Sequence, residues 1–153
     1  MANRLTWRLL VALALLVASS CAPENVATLP PKIESGHAPV NGIQMYYEVH
    51  GRTGAVPLVL IHGGGSTIEV TFGRVLPMLA QSRPVIAIEE QGHGRTSDRD
   101  APVTFESSAD DVAALVRHLK VGKVDLLGFS NGASVALQVA IRHPERLRKL
   151  VFA

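Results

Sequence analysis

From residue 40 onward, short apolar runs alternate with stretches of helical period. Ile43 to Val49 alternates apolar and polar after Asn41-Gly42, which predicts an antiparallel strand at a sheet edge. Leu58 to Ile61, Val85 to Ile88 and Val124 to Leu127 are short runs with apolar residues on both faces, the mark of buried parallel strands. Between them, Glu69 to Leu79 has helical character weakened by Gly73 and Pro77. A clearer helix runs to Leu119, with Thr104 or Ser107 as its cap and Val112, Leu115, Val116 and Leu119 as its apolar stripe. Asp110 and Asp111 lie early in it and Arg117 and Lys120 late, as the helix dipole favours. Ala133 to Arg142 predicts another helix, stopped before Pro144, and Leu150-Val151-Phe152 opens a further strand. Repeated strand, helix, strand units imply a doubly wound, mostly parallel α/β sheet with right-handed crossovers.

The first twenty residues do not share this pattern. Arg4 and Arg8 precede an unbroken apolar run, Leu9 to Val17, and then the small residues Ala18-Ser19-Ser20. The run is shorter than the ~20 residues of a spanning helix. Residues 1–20 therefore read as a secretory signal. Cys21 is the chain's single cysteine, so no internal disulfide is possible. Val17-Ala18-Ser19-Ser20-Cys21 resembles the lipobox of bacterial lipoproteins, although Ala stands where Leu is commoner. The resemblance implies lipidation of Cys21, and ordinary cleavage near Ser20 or an uncleaved anchor are the competing readings. The expected location is outside the cytoplasm, as a membrane-anchored lipoprotein or a periplasmic or secreted protein. Residues 21–39 contain Pro23, Pro30, Pro31 and Gly36 without periodicity and read as a linker. Residues 40–153 form the folded domain.

Charge adds little. A formal net charge of +2 on 153 residues, with scattered basic side chains, gives no case for nucleic acid. No Cys or His cluster has metal-ligand spacing, and no Gly-Lys-Ser/Thr follows the glycine-rich stretch, which excludes a P-loop. No metal or other cofactor is expected.

The candidate chemistry lies in three loops, each directly after a buried strand. They are His62-Gly63-Gly64-Gly65-Ser66, Gln91-Gly92-His93-Gly94-Arg95-Thr96-Ser97-Asp98 and Gly128-Phe129-Ser130-Asn131-Gly132. Ligands bind at the C-terminal ends of strands in open α/β sheets. The last loop is the G-x-S-x-G nucleophile elbow, between a strand and a helix. A serine hydroxyl attacks an acyl carbon only with a base to take its proton and donors to receive the oxyanion.

With these motifs in this order, the chain resembles an α/β-hydrolase of the esterase, lipase and cofactor-free haloperoxidase type, from about Val40 to Ala153. The resemblance implies that Ser130 is the nucleophile. It implies an oxyanion hole made by the amides of Gly64 and Asn131, with Gly65 a possible substitute. His62 and His93 then match structural positions, and His93 is expected to be fixed by local hydrogen bonds. The pattern departs from the family in two places. Glu89-Glu90 stands where relatives often carry one acidic residue. After Ser130 there is no Asp, one His, His143, and one Glu, Glu145. His143 follows Ser130 by thirteen residues of helix, roughly 20 Å at the helical rise, too far to act as its base.

The sequence ends in the apolar run Leu150-Val151-Phe152-Ala153, an edge that would invite aggregation if left open. It reads as the first part of a hydrolase, without the last two strands and their acid and histidine. The expected function is a serine hydrolase acting on an ester or related small-molecule acyl compound through an acyl-enzyme. The alternative is a non-catalytic remnant or binding protein of the same fold.

Overall fold

The computed structural model describes residues 32–153. The signal, Cys21 and residues 21–31 of the expected linker lie outside the described residues. The elements run β1 (Lys32–Val40), β2 (Ile43–His50), β3 (Leu58–Ile61), α1 (Ile68–Phe72), α2 (Leu76–Leu79), β4 (Val85–Ile88), α3 (Phe105–His118), β5 (Val124–Gly128), α4 (Asn131–Arg142), a 3₁₀ turn (Pro144–Arg146) and β6 (Leu147–Phe152). They form one sheet in the order β1-β2-β4-β3-β5-β6, in which β2 alone runs against the rest.

The continuous apolar strands are explained by the two faces they serve. Leu58, Leu60, Val85 and Ala87 meet Ile68 and Phe72 of α1 and Leu76 of α2 on one face. Val59, Ile61, Ile86, Ile88, Val124 and Leu126 meet Val112, Leu115 and Val116 of α3 and Val135, Ala136 and Val139 of α4 on the other. A strand with helices on both sides needs apolar residues at both parities. Thr104 is the cap of α3: its Oγ1 accepts the Ser107 N–H at 3.0 Å, and Ser107 Oγ accepts the Thr104 N–H in return.

The sequence expectations need three corrections. Residues 32–39 belong to strand β1, not to a linker. Of its residues Glu34 to Val40, only Ala38 and Val40 are buried, too few to produce a pattern. Pro39 is tolerated because an edge strand has one unpaired side. It follows that β2 is antiparallel as expected but lies inside the sheet. The helix expected over Glu69 to Leu79 is two short helices. Pro77 has no N–H for the Gly73 carbonyl and sits in the first turn of α2, where none is needed.

Within the apolar run of β5, Asp125 is only 4% exposed. Its carboxylate takes Arg148 Nε at 2.8 Å and Arg83 Nη2 at 2.7 Å, and so ties β6 and the approach to β4 to β5. The Arg148 hydrogen bonds, supported by Arg83, outweigh burial and hold its pKa at about 2, against an ordinary 3.8. The native state therefore holds the Asp125 proton less tightly than the unfolded chain. Its contribution is present above pH ~3.8 and disappears as pH falls towards ~2. Asp125→Asn is expected to lower the unfolding free energy by roughly 2 kcal/mol at neutral pH. Urea midpoints of the two proteins should converge near pH 2, and equal midpoints at pH 7 would count against the carboxylate's role.

Candidate active site

The elbow is built by close approach. A side chain on Gly128 would overlap the Gly132 carbonyl, and one on Gly132 would overlap the Ile61 carbonyl at the end of β3. Only glycine lets α4 start this close to the sheet. Between them Ser130 is held at φ 51°, a conformation uncommon outside glycine. It stands at the N-terminus of α4, yet its side chain makes no capping hydrogen bond, and it is exposed. Its N–H donates to the Ala153 carbonyl at 2.8 Å, and the Ala153 N–H donates to the Gly128 carbonyl, so the end of β6 braces the turn.

The loop after β3 lies directly against this turn. A Cβ on Gly63 would stand 3.6 Å from Ser130 Cβ, and one on Gly64 would stand 3.5 Å from Asn131 Cβ. The structure thus brings together Ser130, Asn131 and Gly64. Among the described residues no hydrogen bond engages the amides of Gly64 or Asn131. The Gly65 amide is different: it donates to His93 Nε2 at 3.0 Å. His93 Nδ1 is bonded to the Gln91 carbonyl at 2.9 Å, so both of its ring nitrogens are engaged. His143 lies at the far end of α4, where its Nε2 is 2.7 Å from Asp110 Oδ1. Among the described residues no group of His, Cys, Asp and Glu converges as a metal site would require.

Two neighbours carry no motif signal. Phe129 is 47% exposed beside Ser130 and lies over Gly63, forming an aromatic wall at the site. Behind the elbow lies Glu90, which is 2% exposed. Glu89 and Glu90 meet different fates. Burial pushes the Glu89 carboxyl up, but hydrogen bonds from the Arg95 side chain and amide hold it below the usual range. Glu90 has no cationic partner of this kind. Burial raises its pKa to about 7, although His93 and the side chains of Ser108 and Asn131 favour its charged form. Its Oε2 has no hydrogen-bond partner among the described residues and lies 4.0 Å from His62 Nδ1. The doubled acid was visible in the sequence as a departure; the burial of its second member was not.

The folded state holds the Glu90 proton more tightly than the unfolded chain. Its stabilising effect is therefore complete below pH ~4.5 and is lost as pH rises through ~7. Glu90→Gln cannot ionise. Relative to the parent, it is expected to gain roughly 3 kcal/mol of stability between about pH 4.5 and pH 8, as measured by urea unfolding. Parallel pH profiles for the two proteins would show that Glu90 does not hold this proton.

Residues 56–153 match the family model described as alpha/beta hydrolase fold. The chain is 38% identical over 107 residues to a 2-hydroxymuconate semialdehyde hydrolase of Pseudomonas sp. (strain CF600), covering 67% of this chain and 38% of that one. It is 33% identical over 150 residues to the serine hydrolase BPHL of Mus musculus, covering 94% and 51%. Among solved structures, the epoxide hydrolase CorEH aligns with a TM-score of 0.72 at 32% identity, over 78% of this chain and 41% of that one. The chain spans about half the length of these relatives or less. The matched region holds all three glycine-bearing loops, and the chain belongs to the α/β-hydrolase fold family.

Proposed function

We propose that this chain carries the nucleophile and the oxyanion donors of a serine hydrolase that cleaves an ester or related acyl compound. The observation that carries the reading is Ser130. Its hydroxyl is exposed and uncapped on a strained turn, facing a loop whose Gly64 amide is not engaged. Attack of Ser130 Oγ on the acyl carbon would break the carbonyl π bond and place negative charge on its oxygen. The amides of Gly64 and Asn131 are the donors for that charge, the second at a helix N-terminus where the dipole also favours an anion. Collapse would expel the leaving group and leave an acyl-Ser130 ester for water to hydrolyse.

The proton on Ser130 needs a base, and the geometry supplies none within the described residues. His93 is engaged at both nitrogens, and His143 is paired with Asp110. In this reading the acid and the histidine come from polypeptide that follows Ala153 in a longer product. The relatives named as a semialdehyde hydrolase and a serine hydrolase support a hydrolytic role. The competing reading is a binding protein or remnant without chemistry.

The 153-residue chain is expected to hydrolyse p-nitrophenyl acetate no faster than its Ser130→Ala variant. A Ser130-dependent burst would overturn the statement that the base is missing. If the gene continues in frame with an Asp or Glu loop and then a His loop, Ser130→Ala in that longer product should cost about 10⁴-fold or more in kcat. A stop codon directly after Ala153 would favour the remnant.

We also propose that Cys21 is lipidated and tethers the domain to a membrane, on the strength of the Val17 to Cys21 pattern. Cells expressing the protein should incorporate labelled palmitate into it. Label that persists in Cys21→Ser would rule this out.

A further inference from the structure

The loop after β3, which lies against the elbow, is held to the loop after β4 by a reciprocal pair of histidines. His62, in the loop after β3, accepts the Glu90 N–H at Nε2 across 3.0 Å, and so grips the loop after β4. His93, in the loop after β4, accepts the Gly65 N–H at Nε2 across 3.0 Å, and so grips the loop after β3. A backbone amide only donates, so each Nε2 must present a lone pair. Each neutral ring then carries its proton on Nδ1 and gives it to a carbonyl of its own loop. His62 donates to the Gly63 carbonyl at 2.7 Å, and His93 to the Gln91 carbonyl at 2.9 Å. The ring centroids are 5.0 Å apart.

We infer that His62 and His93 are positioning residues for the Gly64 amide: two neutral imidazoles that latch the glycine loop to the loop after β4 and release it when protonated. The inference rests on Gly64 as an oxyanion donor. Gly64 lies between the two gripped points, the Gly63 carbonyl and the Gly65 amide, so its own N–H is aimed only while both hold. A protonated ring bears N–H at both nitrogens. Its Nε2 then opposes an amide N–H instead of accepting from it, and the grip is lost.

The charged groups around the pair decide how easily it opens. Glu90 Oε2 faces His62 from the same loop as His93, and Glu89 stands next to it, neutralised by Arg95. Asp111 of α3 lies behind Glu90. The Gly63 carbonyl and Glu89 favour a charged His62 imidazole, whereas burial and the second ring oppose it. At His62, which is fully buried, burial prevails and holds the pKa below the ordinary value. His93 is only partly buried and is the ring open to solvent.

The chain labelled with nitrogen-15 tests the latch without any catalysis. Imidazole spectra at about pH 8 are expected to show the proton on Nδ1 in both rings. As pH falls and while the closed form still predominates, protection of the Gly65 amide against hydrogen exchange should fall by up to about tenfold per pH unit, since one proton is taken up per opening. His93→Gln, which does not titrate, should abolish that pH step, and His93→Phe should leave the Gly65 amide unprotected at every pH. An Nε2–H tautomer for either ring in the unmutated chain would overturn the latch. So would a pH step that survives in His93→Gln, or Gly65 protection in the unmutated chain that does not change with pH. These readouts follow amides, so their failure leaves the oxyanion reading standing. Loss of Ser130-dependent hydrolysis in a longer product would strike that reading and leave the latch intact.

Discussion

The structure depends on how closely α4 approaches the end of β3. Gly132 lies against the Ile61 carbonyl and Gly128 against the Gly132 carbonyl, with no room for a Cβ at either. That contact forces the chain to reverse within a few residues, and Ser130 takes a left-handed conformation because the turn leaves no relaxed alternative. The strain is borne by the surrounding sheet. β5 is paired on both sides, by β3 and β6, and Ala153, just after β6, hydrogen-bonds back to the turn. The same approach sets the free N-terminus of α4 next to the loop after β3. One steric fact thus fixes the backbone of the proposed nucleophile and of both proposed oxyanion donors.

Buried charge in this domain follows a consistent rule with one exception. Asp125, Asp111 and Glu89 are each buried and each meets a guanidinium, from Arg148 and Arg83, Arg99, and Arg95. In each case the pairing offsets desolvation, and it also joins segments distant in sequence. Asp111 joins α3 to Arg99 and to Asn41 at the β1–β2 turn. Glu90 is equally buried and meets no guanidinium, so it responds in the remaining way, by holding its proton to higher pH. The exception lies behind the elbow and beside the histidine pair, with its Oε2 4.0 Å from His62 Nδ1.

Much of the fold was legible because it is written in local pattern. The buried strands announce themselves as short apolar runs, and α3 by its stripe and cap. The three glycine loops were legible because each chemical need maps onto a residue type at fixed spacing. What escaped has a common physical cause, dependence on a partner distant in sequence. β1 has too few buried side chains to look like a strand and exists because β2 pairs with it. Asp110 and Asp111 read as favourable early charges in a helix, yet their positions are set by Arg142 and His143 for the first and by Arg99 for the second. Glu90 and Glu89 are adjacent and chemically alike, and only the fold decides which of them meets Arg95. The His62 and His93 bonds join residues 28 apart, and neither imidazole alone betrays its acceptor role.

The half-site around Ser130 is made largely of backbone. Its proposed donors are amides, and the histidines that steady its glycine loop also bond to amides and carbonyls. A backbone amide offers the same dipole whatever acyl group approaches, so in the proposed mechanism this half would stabilise an oxyanion without selecting a substrate. Selection needs side chains that differ in size and polarity, and beside Ser130 the exposed one is Phe129. The division has a consequence for substitution. In the proposed reaction, changes at Gly128, Gly132, His62 or His93 would act on the geometry that every substrate shares. In the proposed reaction a change at Phe129 would act on which leaving or acyl group fits over Gly63, because among the described residues its exposed ring stands next to Ser130.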